Sequence, residues 1–349
     1  DQPQAQQIPP GVRRPARGRG LTGADTTTAV VLCRGGQPIQ GLVDLADREN
    51  DLKLLFVDHQ LSPNEQVAAV GDSPVLIANG QPADLLALAA RLRKLKLIQT
   101  FTAGTDWLDV AGLAKIGVQV ADNNGANAVV VAERAIGLIY AVQQQIAEQF
   151  NSAKAGTWQQ GVDFHRPVYT FENRRIGLVG LGRIGSRVAK RLAGWECEIV
   201  YHDTADLDQA YVQSTGARYL PYDELLQTSD VVSLHVPLNR LTRGYFSDRE
   251  FGLMKSSAIF INTCRGPVLD EAALIRALQE NHLFGAGLDV TQSEPIETDN
   301  PLLNMPNVLI TPHSAGRSVQ VGTKISSHII ANAARVIRGE PPVSVVTPV

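Results

Sequence analysis

The sequence predicts an α/β protein made of two doubly wound parallel sheets with a cleft between them. Three observations carry that expectation. The 349 residues are 44% hydrophobic, enough at roughly 150 residues per domain for two separate cores. Short β-branched runs alternate with stretches of helical spacing, the grammar of βαβ units, and do so in two successive series. One run of the second series ends in a glycine-rich turn that opens directly into a helix.

Residues 1–27 are dominated by Gln, Pro, Arg and Gly, with Ile8, Val12 and Leu21 as scattered apolar residues, and read as a disordered tail. Arg13, Arg14, Arg17 and Arg19 make this tail basic, so a targeting or binding arm is the other reading. Strand-like runs follow at 29–33, 52–58, 74–78 and 95–100, with helical spacing at 83–94. The amphipathic stretch 128–150 has no Pro and no internal cap, which predicts one long helix. The second series places strands at 175–180, 197–203, 230–236, 258–263, 285–290 and 308–311, with helices such as 186–193 and 270–280 between them. A last helix over 320–337 leads to a Pro-rich end. The expected division is a tail, 1–27, a discontinuous first domain, 28–126 with 317–349, and a second domain, 127–316.

Composition narrows the partners. The formal net charge is −3 and the folded region has no sustained basic block, which argues against nucleic acid, because phosphate binding needs a clustered positive field. Cys33, Cys197 and Cys264 form no CxxC pair and fit no zinc spacing, so no metal is expected. A sparse, odd set of cysteines suits a reducing, cytoplasmic interior. No apolar run approaches the roughly 20 residues that span a bilayer, and no apolar signal core opens the chain, so neither membrane nor secretion is expected.

The strongest local signal is Gly180-Leu181-Gly182-Arg183-Ile184-Gly185, between an apolar strand and a helix. Gly180 permits the tight turn, Gly182 lets backbone approach a diphosphate, and Gly185 lets helix pack close to strand. Free N–H groups and the helix dipole at that end favour the anion. An acid at the end of the next strand, Asp203, completes a dinucleotide-binding pattern. A carboxylate there accepts ribose hydroxyls and repels a 2′-phosphate, and no Arg or Lys follows until Arg218, so the cofactor read is NAD rather than NADP. The second domain is therefore read as Rossmann and the first as flavodoxin-like.

Three further residues sit just beyond predicted strand ends, where ligands collect in such sheets. His313, in Thr311-Pro312-His313, is the candidate proton carrier, since imidazole titrates near neutrality. Glu294 is the candidate carboxylate to orient it. Arg265 offers the planar fork that grips a small carboxylate better than lysine does. Taken singly each has a bland reading: a structural ring, a solvated loop acid, a surface arginine. Three on successive strand ends of a nucleotide-binding domain are harder to dismiss.

The blocks GLVGLGRIG, SDVVSLHVPL, INTCRGPVLDEAAL, GAGLDVTQSEPI and VLITPHSAG, with TAGTDWLDV and NAVVVAERAIGLIYA before them, resemble the D-isomer-specific 2-hydroxyacid dehydrogenase family from about residue 50 onward. The resemblance implies hydride transfer between nicotinamide and C2 of a small 2-hydroxy or 2-oxo acid. In it Arg265 would hold the substrate carboxylate, His313 would exchange the proton and Glu294 would tune His313. Amides around Ala103 and Gly104 would bind the substrate from the other domain. Asp289 would meet the nicotinamide carboxamide, while Pro237, Thr242 and Thr263 would line the cofactor and Arg183 and Ile184 would extend the diphosphate turn. The long helix would form a homodimer, and closure of the cleft would exclude water.

The chain also departs from that family. The loop Asn123-Asn124-Gly125-Ala126-Asn127 lacks a proline often present there, and Asn239-Arg240-Leu241-Thr242 keeps only the last residue of a common Thr-Pro-acid-Thr turn. Cys264 replaces a small residue, which suggests sensitivity to thiol reagents beside the alternative of an inert packed thiol. Glu294-Pro295 argues against a formate dehydrogenase, and no stretch after the last helix corresponds to the regulatory extension of many phosphoglycerate dehydrogenases. Competing readings are a related enzyme with an unusual donor such as phosphite, an NAD-sensing corepressor-like protein, and a purely structural NAD-binding subunit. The loop 101–107 offers no second cation for a phosphorylated substrate, which favours glyoxylate, hydroxypyruvate or a similar short 2-oxo acid.

Overall fold

The computed structural model describes residues 12–16, 24–49, 52–79, 84–158 and 166–347. The chain forms two compact units, Asp1–Asn127 with Ser318–Val349, and Ala128–Arg317.

In the first unit the strands are β1 (Val12–Ala16), β2 (Thr28–Cys33), β3 (Lys53–Asp58), β4 (Val75–Ala78), β5 (Leu97–Thr100) and β6 (Gln119–Ala121). They lie parallel in the order β1-β3-β2-β4-β5-β6, a flavodoxin-like order once the edge strand β1 is set aside. Helices α1 (Gln40–Ala46), α2 (Pro63–Val70), α3 (Leu85–Ala89) and α4 (Val110–Lys115) connect them. Every residue of β2 is buried, because both faces of the sheet are covered: Val30 and Leu32 pack with Leu76 and Ile98, while Ala29 and Val31 pack with Leu42 and Ile329. Ser62 starts α2 with a capping box to Glu65 and with Pro63 in the first turn.

The stretch expected to be a disordered tail contains a strand. β1 pairs parallel to β3, Val12 opposite Leu54 and Arg13 opposite Leu55, with a register shift between Arg13 and Ala16 around Pro15. Pairing with an open sheet edge uses backbone groups, so a polar composition does not forbid it, and an edge tolerates the missing N–H of proline. Residues 1–11 and 17–23 lie outside the described residues. The helix expected over 83–94 is confined to Leu85–Ala89, capped by the Asp84 side chain.

The C-terminal helix α12 (Val319–Ile337) belongs to this first unit. A buried polar seam fixes it there. Asn332 Nδ2 donates to Gln99 Oε1 at 2.7 Å and to the Val343 carbonyl, and its Oδ1 accepts the Val343 amide. Gln99 in turn donates to the carbonyls of Thr100, Ala121 and Asp122. Buried amides so paired fix one register of helix against sheet.

The second unit begins with α5 (Ala128–Gln143) and α6 (Ile146–Ala155). One long helix was expected here, and the chain instead breaks at Gln145, which adopts a left-handed conformation (φ 54°, ψ 39°). The cause is long-range. Gln145 Nε2 donates to the carbonyls of Arg166 and Pro167, and Gln144 Nε2 to that of Tyr169, so a returning segment takes the glutamines.

Seven parallel strands follow: β7 (Arg175–Val179), β8 (Glu198–His202), β9 (Arg218–Tyr219), β10 (Val231–Leu234), β11 (Ile259–Asn262), β12 (Gly285–Leu288) and β13 (Val308–Ile310). Their order is β13-β12-β11-β10-β7-β8-β9, the Rossmann order with one added strand. Helices α7 (Gly185–Leu192), α8 (Gln209–Gln213), α9 (Tyr222–Thr228), α10 (Asp248–Leu253) and α11 (Glu271–Gln279) make the crossovers. The order reverses between β7 and β10, so the loops after these two strands flank the switch point. Among the described residues no helix is long and apolar enough to cross a membrane.

Candidate active site

The turn after β7 is built by contacts that only glycine allows. Gly180 has φ 97°, and a Cβ on it would lie 2.6 Å from the His235 carbonyl oxygen. A Cβ on Gly185 would lie 2.1 Å from the Gly180 carbonyl oxygen, whereas one on Gly182 would meet nothing within 4 Å. The turn is thus closed against the sheet at both ends and open at its middle. Asp203 holds it from the neighbouring strand: one carboxylate oxygen accepts the Leu181 amide at 2.8 Å and the other the Ala205 amide. Ile184 stands at the start of α7 without a side-chain capping bond, and Arg183 is exposed, its carbonyl accepting from Arg187.

His235, at the end of β10, lies beneath this turn. Its residue keeps some exposed surface, yet Nδ1 is enclosed and among the described residues has no partner, and Nε2 meets the Ser233 hydroxyl at 3.0 Å. Burial pulls the imidazole down to about 4. The loop that follows solves its own departure from the family turn. Asn239 Oδ1 accepts the amides of Leu241 and Thr242, and Thr242 Oγ1 donates to the Pro237 carbonyl.

Arg265, Glu294 and His313 follow β11, β12 and β13, three adjacent strands. His313 Nδ1 lies 2.6 Å from Glu294 Oε2, and the histidine side chain is 46% exposed. Glu294 Oε1 accepts the Thr291 amide at 3.2 Å. The Arg265 loop is braced by buried Asn262, whose Nδ2 donates to the Arg265 carbonyl and whose Oδ1 accepts the Cys264 amide. The two loops touch through backbone: a Cβ on Gly266 would fall 1.8 Å from the Thr291 carbonyl oxygen.

Asp289, buried to 1% exposure, holds the histidine loop. Its Oδ1 accepts the Thr311 hydroxyl at 2.5 Å and the Ser314 amide, and its Oδ2 accepts the Ala315 amide. The His313 amide donates to the Asp289 carbonyl at 2.8 Å, and His313 itself is left-handed with φ 45°. The environment of Cys264 favours the packed-thiol alternative. Its thiol donates to Asn262 Oδ1, and burial pushes it up to about 11.

Residues 136–315 match the family model described as D-isomer specific 2-hydroxyacid dehydrogenase, NAD binding domain. The chain belongs to that family. A glyoxylate reductase of Korarchaeum cryptofilum is 35% identical over 72% of this chain and 76% of the relative. A glyoxylate/hydroxypyruvate reductase B of Escherichia coli is 34% identical over 84% of this chain and 92% of the relative. The crystal structure of Rhodotorula graminis D-mandelate dehydrogenase superposes with a TM-score of 0.81 at 27% identity, covering 92% of this chain and 98% of that one.

The chain is an NAD-dependent 2-hydroxyacid dehydrogenase, and its residues fit the cofactor. The open space at Gly182 admits a diphosphate. At the end of β11, Thr263 is 7% exposed, and among the described residues its hydroxyl has no partner, as suits a group that awaits a polar ligand atom. In the first unit, Ala103 and Gly104 follow β5. Gly104 offers its carbonyl to Thr102 Oγ1 and Trp107 Nε1, and among the described residues no acceptor takes the amides of Ala103 or Gly104. Sequence reasoning missed the contributions of Asn262, Thr311 and Tyr211. The contacts of Thr311 and Tyr211 join segments 22 and 30 residues apart, which no local pattern announces, whereas Asn262 bonds only within its own turn.

Proposed function

We propose that the enzyme interconverts a small 2-oxo acid and its 2-hydroxy acid, with His313 as acid and base, Glu294 as its orienting carboxylate and Arg265 as the carboxylate anchor. The observation that carries this reading is the 2.6 Å contact between His313 Nδ1 and Glu294 Oε2. It occupies Nδ1 and leaves Nε2 for the substrate, and a carboxylate beside Nδ1 stabilises the imidazolium that must form and discharge. Bound NADH supplies the hydride for C2. His313 Nε2 delivers the proton to the carbonyl oxygen in reduction and removes it from the hydroxyl in oxidation. Arg265 binds the substrate carboxylate with parallel N–H donors, which sets the orientation of C2. The amides of Ala103 and Gly104 are further donors to the substrate, and Asp289, besides holding the histidine loop, orients the nicotinamide carboxamide. Pro237, Thr242 and Thr263 line the cofactor, and Asp203 selects NAD over NADP through the adenosine ribose.

Glyoxylate and hydroxypyruvate are the first substrates to test, in keeping with the reductases that the chain resembles. We also assign a homodimer to the exposed Tyr140, Ile146 and Phe150 of α5 and α6, and a cytoplasmic setting to a chain whose three cysteines are free.

The deciding experiment is oxidation of NADH, beside NADPH, against a panel of 2-oxo acids with the wild type, His313→Ala and Arg265→Lys. NADH-preferring turnover of one acid, abolished in the histidine variant and with raised KM in the arginine variant, supports the assignment. Tight NADH binding without turnover of any acid would point to an unusual donor or to an NAD-sensing protein.

A further inference from the structure

The cofactor turn carries a contact that neither the family pattern nor the roles above use. The hydroxyl of Tyr211, on α8, lies 3.0 Å from the Leu181 carbonyl oxygen and 3.1 Å from that of Gly182, so its single proton is shared between the two acceptors. α8 is itself positioned from the same segment, since Asp208 caps it by accepting the Tyr211 amide at 2.8 Å. Two peptide planes of the turn are therefore held by one phenol, 181–182 and 182–183.

In a trans peptide the carbonyl of one residue and the N–H of the next point in opposite directions. Pulling the Leu181 and Gly182 carbonyls toward Tyr211 therefore turns the Gly182 and Arg183 N–H groups away from it. Among the described residues no acceptor takes the Gly182 amide, and the space beside Gly182 is open. On the opposite side Asp203 fixes the Leu181 amide. The Gly182 carbonyl is shared with the Ser186 amide, so Tyr211 also ties the turn to the first residues of α7.

We propose that Tyr211 is a positioning residue for the dinucleotide diphosphate: its hydroxyl sets the peptide planes whose N–H groups bind the anion. This rests on the reading of the turn as the NAD site. It predicts a defect confined to the diphosphate, because the ribose carboxylate at Asp203 and the proton-transfer residues remain in place.

The test is binding of NADH, ADP and adenosine to the wild type, Tyr211→Phe and Gly182→Ala. Direct titration serves for NADH, and displacement of NADH for the other two. Phenylalanine keeps the ring and removes only the hydroxyl. The expected result is a loss of about five- to tenfold for NADH and ADP alike, the scale of one hydrogen bond, with adenosine unchanged. At saturating NADH, kcat and the KM for the oxo acid should stay at wild-type values. Tyr211→Phe binding ADP as the wild type does, or losing adenosine in the same proportion, overturns the role. Gly182→Ala separates this from the site reading, since a methyl in the open space must cut NADH and ADP binding. If Gly182→Ala binds both normally, the turn is not the diphosphate site and the proposal falls with it.

Discussion

Replacing Gly266 by alanine tests how the substrate anchor is registered to the acid–base pair. Gly266 follows Arg265, and its φ lies outside the left-handed region, so the constraint is space and not conformation. An added Cβ would sit 1.8 Å from the Thr291 carbonyl oxygen, 2.1 Å from the Thr291 carbonyl carbon and 2.6 Å from the Gln292 nitrogen. All three are backbone atoms, which cannot swing aside as a side chain can. Reaching ordinary contact requires the two loops to part by about 1.6 Å. Thr291 carries Glu294 through its amide, so the separation moves Glu294 and His313 away from Arg265. A displacement near 1 Å can cost about 100-fold in rate, and the overpacking should cost about 1–3 kcal/mol of stability. The assay is kcat/KM for the preferred oxo acid, with NADH affinity by titration and stability by urea unfolding. The turn at 180–185 is on another part of the sheet, so NADH affinity should stay within about twofold. Wild-type kcat/KM in Gly266→Ala, or a loss explained entirely by NADH affinity, would refute the reasoning.

Asp289→Asn should lower kcat by about tenfold and stability by about 2 kcal/mol, because an amide cannot accept the Thr311, Ser314 and Ala315 donors as a carboxylate does. Unchanged kcat would show that the histidine loop holds itself. The folded-state pKa of His235 lies below its ordinary value, at about 4. The unfolded chain therefore takes the proton first as pH falls, and stability present above about pH 6.5 is lost down to about pH 4, on the order of 3 kcal/mol. Urea midpoints across that range should fall less in His235→Gln than in the wild type, and parallel curves would contradict this. With its thiol pushed up to about 11, Cys264 should resist alkylation at pH 7.5 under conditions that label an exposed cysteine. Rapid inactivation that Cys264→Ser abolishes would show a reactive thiolate.

The parts of this protein that were legible in the sequence are those whose chemistry is local. A strand, the turn 180–185, a helix and Asp203 lie within one short stretch, and each is required by the same ligand. The alternation of apolar runs likewise predicts the two parallel sheets, since strands buried on both faces read as mostly apolar, as β2 does after Thr28 and β11 does before Asn262. What stayed hidden depends on partners distant in sequence. Nothing in residues 143–145 announces that carbonyls at 166, 167 and 169 will take two of its glutamines and break the helix. β1 is placed by its parallel pairing with the edge of β3, a partner about 40 residues away in sequence. Asp289 was legible as a strand-end acid, but its hold on Thr311, Ser314 and Ala315 follows from β12 and β13 lying side by side. Tyr211 had no motif at all; its contact with the turn exists because α8 folds back over it.

The most direct test of the proposed chemistry is a double-mutant cycle on kcat with His313→Ala, Glu294→Gln and the pair together, at saturating NADH and oxo acid. If Glu294 acts only through His313, each single variant will be slow and the double will be no slower than His313→Ala alone. If the two losses multiply in the double variant, Glu294 works independently of the imidazole, and the 2.6 Å contact is not the source of catalysis.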